Sequence, residues 1–286
     1  MEPYIGKKLS ATEFLDDGHR ISVCVEVQSD ALMFDFKNTS SVHPNNLNAN
    51  LSIIHSAILY VLRLLVDKEI PLNDGLMQTV TIRLPQNSLL NPDFTDDPRE
   101  CPAVVGGNTE VSQRLVDTLL KAFELAACSQ GTMNNFLFGN DSSGYYETIG
   151  GGTGAGDGFH GKSGVHQHMT NTRITDTEEL ERRYPVRVHR FSLRPNSGGV
   201  GKWRGGDGII REVEFLEKLD VTLITQHRYF SPYGLAGGQG GKTADQTVVR
   251  TNGKTEKCPG ICSFQAQPGD RLIIETPGGG GYGDPS

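Results

Sequence analysis

Ile21-Ser22-Val23-Cys24-Val25-Glu26-Val27-Gln28-Ser29-Asp30-Ala31-Leu32-Met33-Phe34-Asp35-Phe36 decides the fold class. Ile21, Val23, Val25 and Val27 alternate with Ser22, Cys24, Glu26 and Gln28, the period of two of a strand with one buried face. Ser29-Asp30 interrupts the run as a turn, and Leu32, Phe34 and Phe36 follow it, so the stretch predicts a hairpin. Downstream the period changes. Leu51, Ile54, Ile58, Val61, Leu62 and Leu65 recur at helical spacing, Asn48 or Asn50 can cap the first turn, and the helix is expected to stop before Pro71. Strands and helices in succession give an α+β fold. His55, beside the apolar stripe, reads as a buried, hydrogen-bonded histidine.

Val80-Thr81-Ile82-Arg83-Leu84 predicts another strand, followed by an irregular, proline-containing run over 85–102. A second helix follows Gly106-Gly107-Asn108, with the stripe Val111, Leu115, Val116, Leu119, Leu120 and Phe123, and Glu110 in its first turn suits the helix dipole. Gly-Gly-Asn could hold an anion on free N–H groups, but an ordinary helix start explains it equally well and is preferred. Phe136–Phe138 and Tyr145–Ile149 are apolar or aromatic runs. The last third is β-like, with strands expected at 186–193, 209–216, 220–227, 246–251 and 271–276 between glycine-rich turns. The expected organisation is a mixed α/β module with two main helices over 1–185 and a β-rich glycine-turn module over 186–286, both parts of one domain.

Glycine supplies 35 of the 286 residues, against a usual share of roughly 7%. No G-x-y period accompanies it, so the glycines are assigned to turns and to close backbone approach. Gly156 to Ser163 satisfies the string G-x-x-x-x-G-K-S, but no strand leads into it and Gly164–His168 reads as a strand where a phosphate-binding loop needs a helix. The formal charge of −7, from 27 basic and 34 acidic residues, argues against a nucleic-acid binder. The basic cluster Glu181–Arg187 reads as a solvated or salt-bridged strand entry. No run approaches the roughly 20 apolar residues of a membrane span, and the first residues lack the basic and apolar regions of a signal peptide. Five widely spaced cysteines suggest a reduced, intracellular protein. Cys258 and Cys262 are four apart, but no second pair completes a zinc site.

Three groups of residues carry chemistry. His166-Gln167-His168-Met169-Thr170-Asn171-Thr172-Arg173, taken as a strand, puts His166, His168, Thr170 and Thr172 on one face. Two imidazoles there could bind a metal, share acid–base work, or only hydrogen-bond on a half-buried face. Gln130, Thr132, Asn134 and Asn135 bring amides and hydroxyls to a loop of small residues, suited to an amide or carboxylate substrate or to turn formation. Glu147 sits in an aromatic, strand-like run; if buried its pKa would rise, as suits a general base, and if exposed it is an ordinary surface acid.

The strings Ala103–Glu110, Ser129–Asn135, Tyr145-x-Glu147-x-x-Gly150-Gly151-Gly152, His166–Arg173, Glu181-x-Arg183-Tyr184-Pro185-Val186, Gly205–Gly208 and Pro277–Gly283 together resemble the hydantoinase B/5-oxoprolinase family, in that family's order. The resemblance covers nearly the whole chain, but only the C-terminal half or so of a B-type subunit; the family's N-terminal His- and Asp-containing metal motifs have no counterpart here. It implies an ATP-dependent cyclic amide hydrolase that works with a hydantoinase A-type ATPase domain or subunit. The A-type part uses ATP and Mg to phosphorylate the lactam oxygen of 5-oxo-L-proline, and the B-type part completes opening to L-glutamate in cytoplasmic glutathione turnover. It further implies a homo-oligomer, no nucleic-acid or membrane partner, and a divalent metal in the complete B-type subunit. On this resemblance His166, His168 and Glu147 are expected to be catalytic, and Gln130, Thr132, Asn134, Asn135, Asn171 and Arg173 to bind substrate. The alternatives are a truncated, non-catalytic scaffold that docks the A-type part, and a B-type subunit acting on hydantoins or ketones.

Overall fold

The structure is a computed structural model that describes residues 2–66, 71 and 73–285. The fold is α+β, and it divides into two compact units, Met1–Leu125 and Ala126–Ser286. The division expected at 185/186 falls inside the second unit, where strands from both sides of it share one sheet.

In the first unit, β1 (Lys8–Phe14), β2 (Arg20–Val27), β3 (Leu32–Asp35) and β4 (Val80–Arg83) form a sheet in that order. The expected hairpin is β2 and β3, antiparallel with Val25 opposite Phe34; β1 lacks a comparable apolar alternation and is not foreseen. α1 (Leu51–Leu65) begins where its stripe begins. Asn50 is the cap, accepting from the Ile53 N–H. Asn48 instead ties a loop, its Nδ2 donating to the carbonyls of His43, Asn45 and Ala103 at 2.9, 3.1 and 3.0 Å. His55 is half exposed and faces Asp74 at 3.2 Å, because it lies at the edge of the stripe; the buried reading is corrected.

α2 (Ser112–Ala122) follows a π-turn at Gly107–Val111 and packs on α1, β1 and β2. It is buried almost all round, polar Gln113, Arg114, Asp117 and Thr118 included. The Gly106 and Gly107 N–H groups donate to Asn46 O and Val104 O at 2.7 and 3.0 Å, and a Cβ on Gly107 would collide with the Asn48 carbonyl oxygen. The glycine pair seats the helix start against residues 46–49, and the ordinary reading holds.

In the second unit, β12 (Ile261–Ala266), β9 (Leu219–Ile224), β5 (Asn135–Gly139) and β6 (Gly144–Thr148) form one sheet. β11 (Thr255–Lys257), β10 (Asp245–Val249), β13 (Arg271–Glu275), β8 (Gly208–Phe215) and β7 (Val186–Arg194) form the other. Phe136, Phe138, Val221 and Leu223 of the first sheet and Val213, Phe215, Val248, Leu272 and Ile274 of the second share one core, as in face-to-face sheet packing. The basic cluster runs from the end of a short helix, α3 (Thr177–Arg183), capped by Asp176, into the first residues of β7. Glu179 pairs with Arg182 at 2.8 Å and also with Arg183, and Arg187 of β7 lies 3.9 Å from Glu214, so the salt-bridged strand entry holds, with a short helix leading into it.

The glycines do more than turn the chain. From Gly278 on, successive backbone N–H groups leave for different neighbours. Gly278 and Gly281 donate to Lys242 O and Gln239 O, Gly279 and Tyr282 to Gly206 O and Trp203 O, and Gly280 to Cys128 O, at 2.8–3.2 Å. A partner that recurs every third residue is the pattern of a polyproline-II-like chain, which has three residues per turn and no internal hydrogen bonds. Here its bonds are supplied by surrounding extended loops. A Cβ on Gly278, Gly279 or Gly280 would collide with the backbone oxygens of Ser197, Thr153 and Tyr233.

Residues 164–172 are not a strand. Val165 makes one bridge to Gly151, and His168 then takes a left-handed conformation at φ 55. No helix follows Gly156–Ser163 until α3, so the phosphate-loop string is a chance match. Among the described residues no helix is long and apolar enough to cross a membrane.

Candidate functional site

The loop before β5 and the first residue of that strand carry four of the expected site residues, and all four are buried. Asn134 Nδ2 donates to Gln130 Oε1 at 2.7 Å and to Ile149 O at 3.2 Å, and Gln130 Nε2 donates to the same carbonyl at 3.3 Å. Thr132 Oγ1 accepts from Asn134 N and Gln226 N. Asn135 Nδ2 donates to Ile224 O, and its Oδ1 accepts from the Tyr146 hydroxyl at 2.7 Å. Arg228 closes the network: Nη1 donates to Asn134 Oδ1 at 3.0 Å and Nη2 to Gln246 Oε1 at 2.8 Å. Because a guanidinium can only donate, Arg228 fixes which way the Asn134 amide faces. The amides expected to meet substrate are committed to one another.

Two further pairs join distant segments at this loop. His168 Nε2 lies 3.0 Å from Ser129 Oγ, which also accepts from the Gly154 N–H at 3.1 Å. His227 Nδ1 is 2.6 Å from the Phe230 carbonyl oxygen, an acceptor, so its proton sits on Nδ1. Its Nε2 lone pair therefore faces the Cys128 thiol at 3.7 Å. Asn134, His168 and His227 all have positive φ, a conformation unusual outside glycine that clusters where surrounding structure over-determines the backbone. Ser129, Cys128, His227 and Arg228 escape a reading by spacing, since their partners lie 39, 99 and 94 residues away.

Glu147 is buried in an ion pair. Arg211, itself fully buried, donates through Nε and Nη2 to the two carboxylate oxygens at 3.0 and 3.2 Å. Tyr145 adds a hydroxyl at 2.7 Å; burial first, and then the charge of Glu147, push that phenol up, so it stays a donor. Both carboxylate oxygens are thus occupied by donors, a bidentate cation and a hydroxyl. With these partners Glu147 takes no part in the proton transfer proposed below.

Because the His166–Arg173 run is a loop, its histidines diverge. His168 turns to Ser129, while His166, Thr172 and Arg173 line a cavity of about 390 Å³ together with Phe191 and Ile209. Thr148 and Thr172 hydroxyls meet at 2.5 Å and pin the loop to β6. His166 is half-buried, and burial pushes its pKa below the usual value. Arg173 and Asn171 are exposed.

Among the described residues, Asp17, His19 and His43 of the first unit gather donor atoms within 4.8 Å of one another. They do not fit a metal ion. His43 Nδ1 accepts from the Asn45 N–H at 2.9 Å, so in the neutral ring Nε2 carries the proton, which it donates to Asp17 Oδ2 at 2.6 Å. Burial pushes Asp17 up, but bonds from the His19 N–H and the His43 ring outweigh it and hold the carboxyl low. The trio is a hydrogen-bond cluster. Cys258 and Cys262 are free thiols whose mutual hydrogen bond draws Cys258 down and pushes Cys262 up.

A family profile described as hydantoinase B/oxoprolinase matches residues 3–285. The chain is 46% identical over 273 residues to 5-oxoprolinase 1 of Arabidopsis thaliana, covering 95% of this chain and 21% of that protein. It is 44% identical over 277 residues to the 5-oxoprolinase of Dictyostelium discoideum, covering 96% of this chain and 21% of the relative. The crystal structure of the ATP-dependent caprolactamase from Pseudomonas jessenii superposes with a TM-score of 0.82 at 26% identity, over 97% of this chain and 52% of that one. The chain thus spans about a fifth of the length of these two curated relatives.

Proposed function

Because the chain belongs to the hydantoinase B/oxoprolinase family, we propose that it is the C-terminal part of an ATP-dependent 5-oxoprolinase, contributing to the site that opens 5-oxo-L-proline to L-glutamate. The meeting of the two motif loops carries this reading: His168 reaches Ser129 at 3.0 Å, which leaves His166 and Arg173 together on one cavity. His166 is the proton acceptor for the attacking water: it lines the cavity, and its Nδ1 is without a hydrogen-bond partner among the described residues. Arg173 pairs with the anionic end of the substrate. His168, Gln130, Thr132, Asn134 and Asn135 are positioning residues that hold the loop, and Asn171 is a substrate contact on the same loop.

The electrophile comes from an A-type ATPase part, which uses ATP and Mg to phosphorylate the lactam oxygen. Water then adds to the lactam carbon, the C–N bond breaks as the ring nitrogen takes a proton, and a second water hydrolyses the resulting acyl phosphate to the carboxylate and free phosphate. Relatives named 5-oxoprolinase and a neighbour named an ATP-dependent caprolactamase support a cyclic amide as substrate. A cytoplasmic setting, glutathione turnover and a homo-oligomer belong to the same proposal.

The test is ATP-dependent glutamate release by the complete enzyme, or by this chain mixed with its complementary parts. His166→Ala is expected to lower kcat about a hundredfold to ten-thousandfold, the range of general acid–base contributions. An unchanged rate, with the chain still binding an A-type subunit, overturns the catalytic reading and leaves an assembly module.

A further inference from the structure

Arg211 occupies the middle of β8 and is fully buried. Two of its nitrogens are spent on Glu147. The third, Nη1, is buried and has no hydrogen-bond partner among the described residues. A buried guanidinium seldom leaves a donor unused, because its lost hydration is then uncompensated.

Phe191 is the cross-strand partner of Arg211 in the β7–β8 register, and its ring centroid lies 4.9 Å from the guanidinium carbon. The same ring lines the His166 cavity, just past the irregularity in β7 between Val188 and Arg190. Phe191 is 46% exposed, so moving it gives up little buried apolar area. His166 Nδ1 is likewise buried without a partner among the described residues. The cavity therefore has an exposed cation at Arg173, a half-buried imidazole at His166, and a guanidinium with one free donor behind its aromatic wall. Glu147 neutralises Arg211, so Arg173 supplies the net positive charge. A volume of about 390 Å³ suits a small ring bearing one charged group.

We propose that this cavity is a carboxylate-binding subsite for a small cyclic acid, in which Arg211 Nη1 and Arg173 hold the carboxylate and Phe191 packs on the ring. The ring-opening reading is needed only to name the acid as 5-oxo-L-proline; the anion site itself follows from the arrangement of Arg211, His166 and Phe191.

The experiment is calorimetric titration of the full chain, without nucleotide, with 5-oxo-L-proline, cyclopentanecarboxylate and neutral 2-pyrrolidinone. Both acids should bind, and the neutral lactam should bind about tenfold to a hundredfold more weakly, as loss of charged hydrogen bonds requires. Arg211→Lys, which keeps a cation for Glu147 but removes the fork, should weaken both acids by a similar factor. Arg173→Gln, at an exposed position with no fold at stake, should weaken them too and keeps the test decisive if Arg211→Lys fails to fold. Equal binding of the two acids supports the anion site and removes support for a lactam-specific site. Equal binding of 5-oxo-L-proline and 2-pyrrolidinone overturns the proposal while leaving the lactam reading intact. Absence of binding by either acid, or acid affinities untouched by Arg173→Gln, also overturns it.

Discussion

The polar loop around Asn134 and the cavity around His166 hold similar residue types and differ in what those residues have left to offer. Gln130, Thr132, Asn134 and Asn135 are sealed, and each makes the bonds that fix its neighbour. At the cavity His166 Nδ1, and behind its Phe191 wall Arg211 Nη1, are buried without partners among the described residues, and Arg173 is exposed. A satisfied buried network gives rigidity and a unique conformation; chemistry needs atoms that are still unspent. The first region is spent on its own framework, while the second keeps the unspent atoms on which the proposed site draws.

Glu147 is the sharpest place to break this distinction, because it closes two-thirds of a guanidinium that the cavity needs. Glu147→Ala strands a buried Arg211 charge and should cost about 3–5 kcal/mol, measured by urea denaturation; a loss below 1 kcal/mol, on the order of a surface change, would mean the pair is dispensable. Gly151→Ala attacks the sealed network from its glycine side. The new Cβ would collide with Gln130 Oε1, and the overpacking should cost about 1–3 kcal/mol. Loss of amide protection at Asn134 in hydrogen exchange would trace the damage to the network. His166→Ala should change stability least, by about 0.5 kcal/mol or less near neutral pH, in contrast to its effect on turnover.

His166 also gives the comparison a pH signature. Its folded-state pKa lies below the usual 6.5 because burial disfavours the charged ring. Over the interval between the folded and unfolded values the unfolded chain binds more protons, so stability rises with pH there. The contribution is complete above the ordinary histidine value and is lost as pH falls through it towards the lower folded value. Denaturation midpoints compared at about pH 7.5 and about pH 5.5 should therefore drop for the native chain by an increment that His166→Ala lacks. An identical drop in both proteins would show that His166 is not the buried group involved.

Local patterns were legible where a residue's environment depends on near neighbours. The β2–β3 hairpin, α1 with its Asn50 cap, α2 and the principal strands of the second unit follow from periods of two and 3.6. β1 and β12 went unread because neither alternates strongly: β12 buries only its last residue fully. The failed strand at 164–172 is the instructive miss. Alternation of His166, His168, Thr170 and Thr172 is what a strand needs, yet the run has no sheet to join beyond one bridge at Val165, and the bond from His168 to Ser129 turns it instead.

By itself the sequence determined the α+β class, the main helices and strands, the order of the family motifs and the identity of the chemical groups on the two loops. Periodicity and turn chemistry act over a few residues and leave their mark in the string. Tertiary structure alone decided which of those groups were spent. It paired Cys128 with His227 and Ser129 with His168, neutralised Glu147 with Arg211, and turned His166 to a cavity. It also drew the terminal glycines into the centre of a bundle of extended loops, where backbone oxygens occupy the space a side chain would need. Hydrogen bonds between segments 39 to 99 residues apart carry no local period, so only the folded chain reveals them.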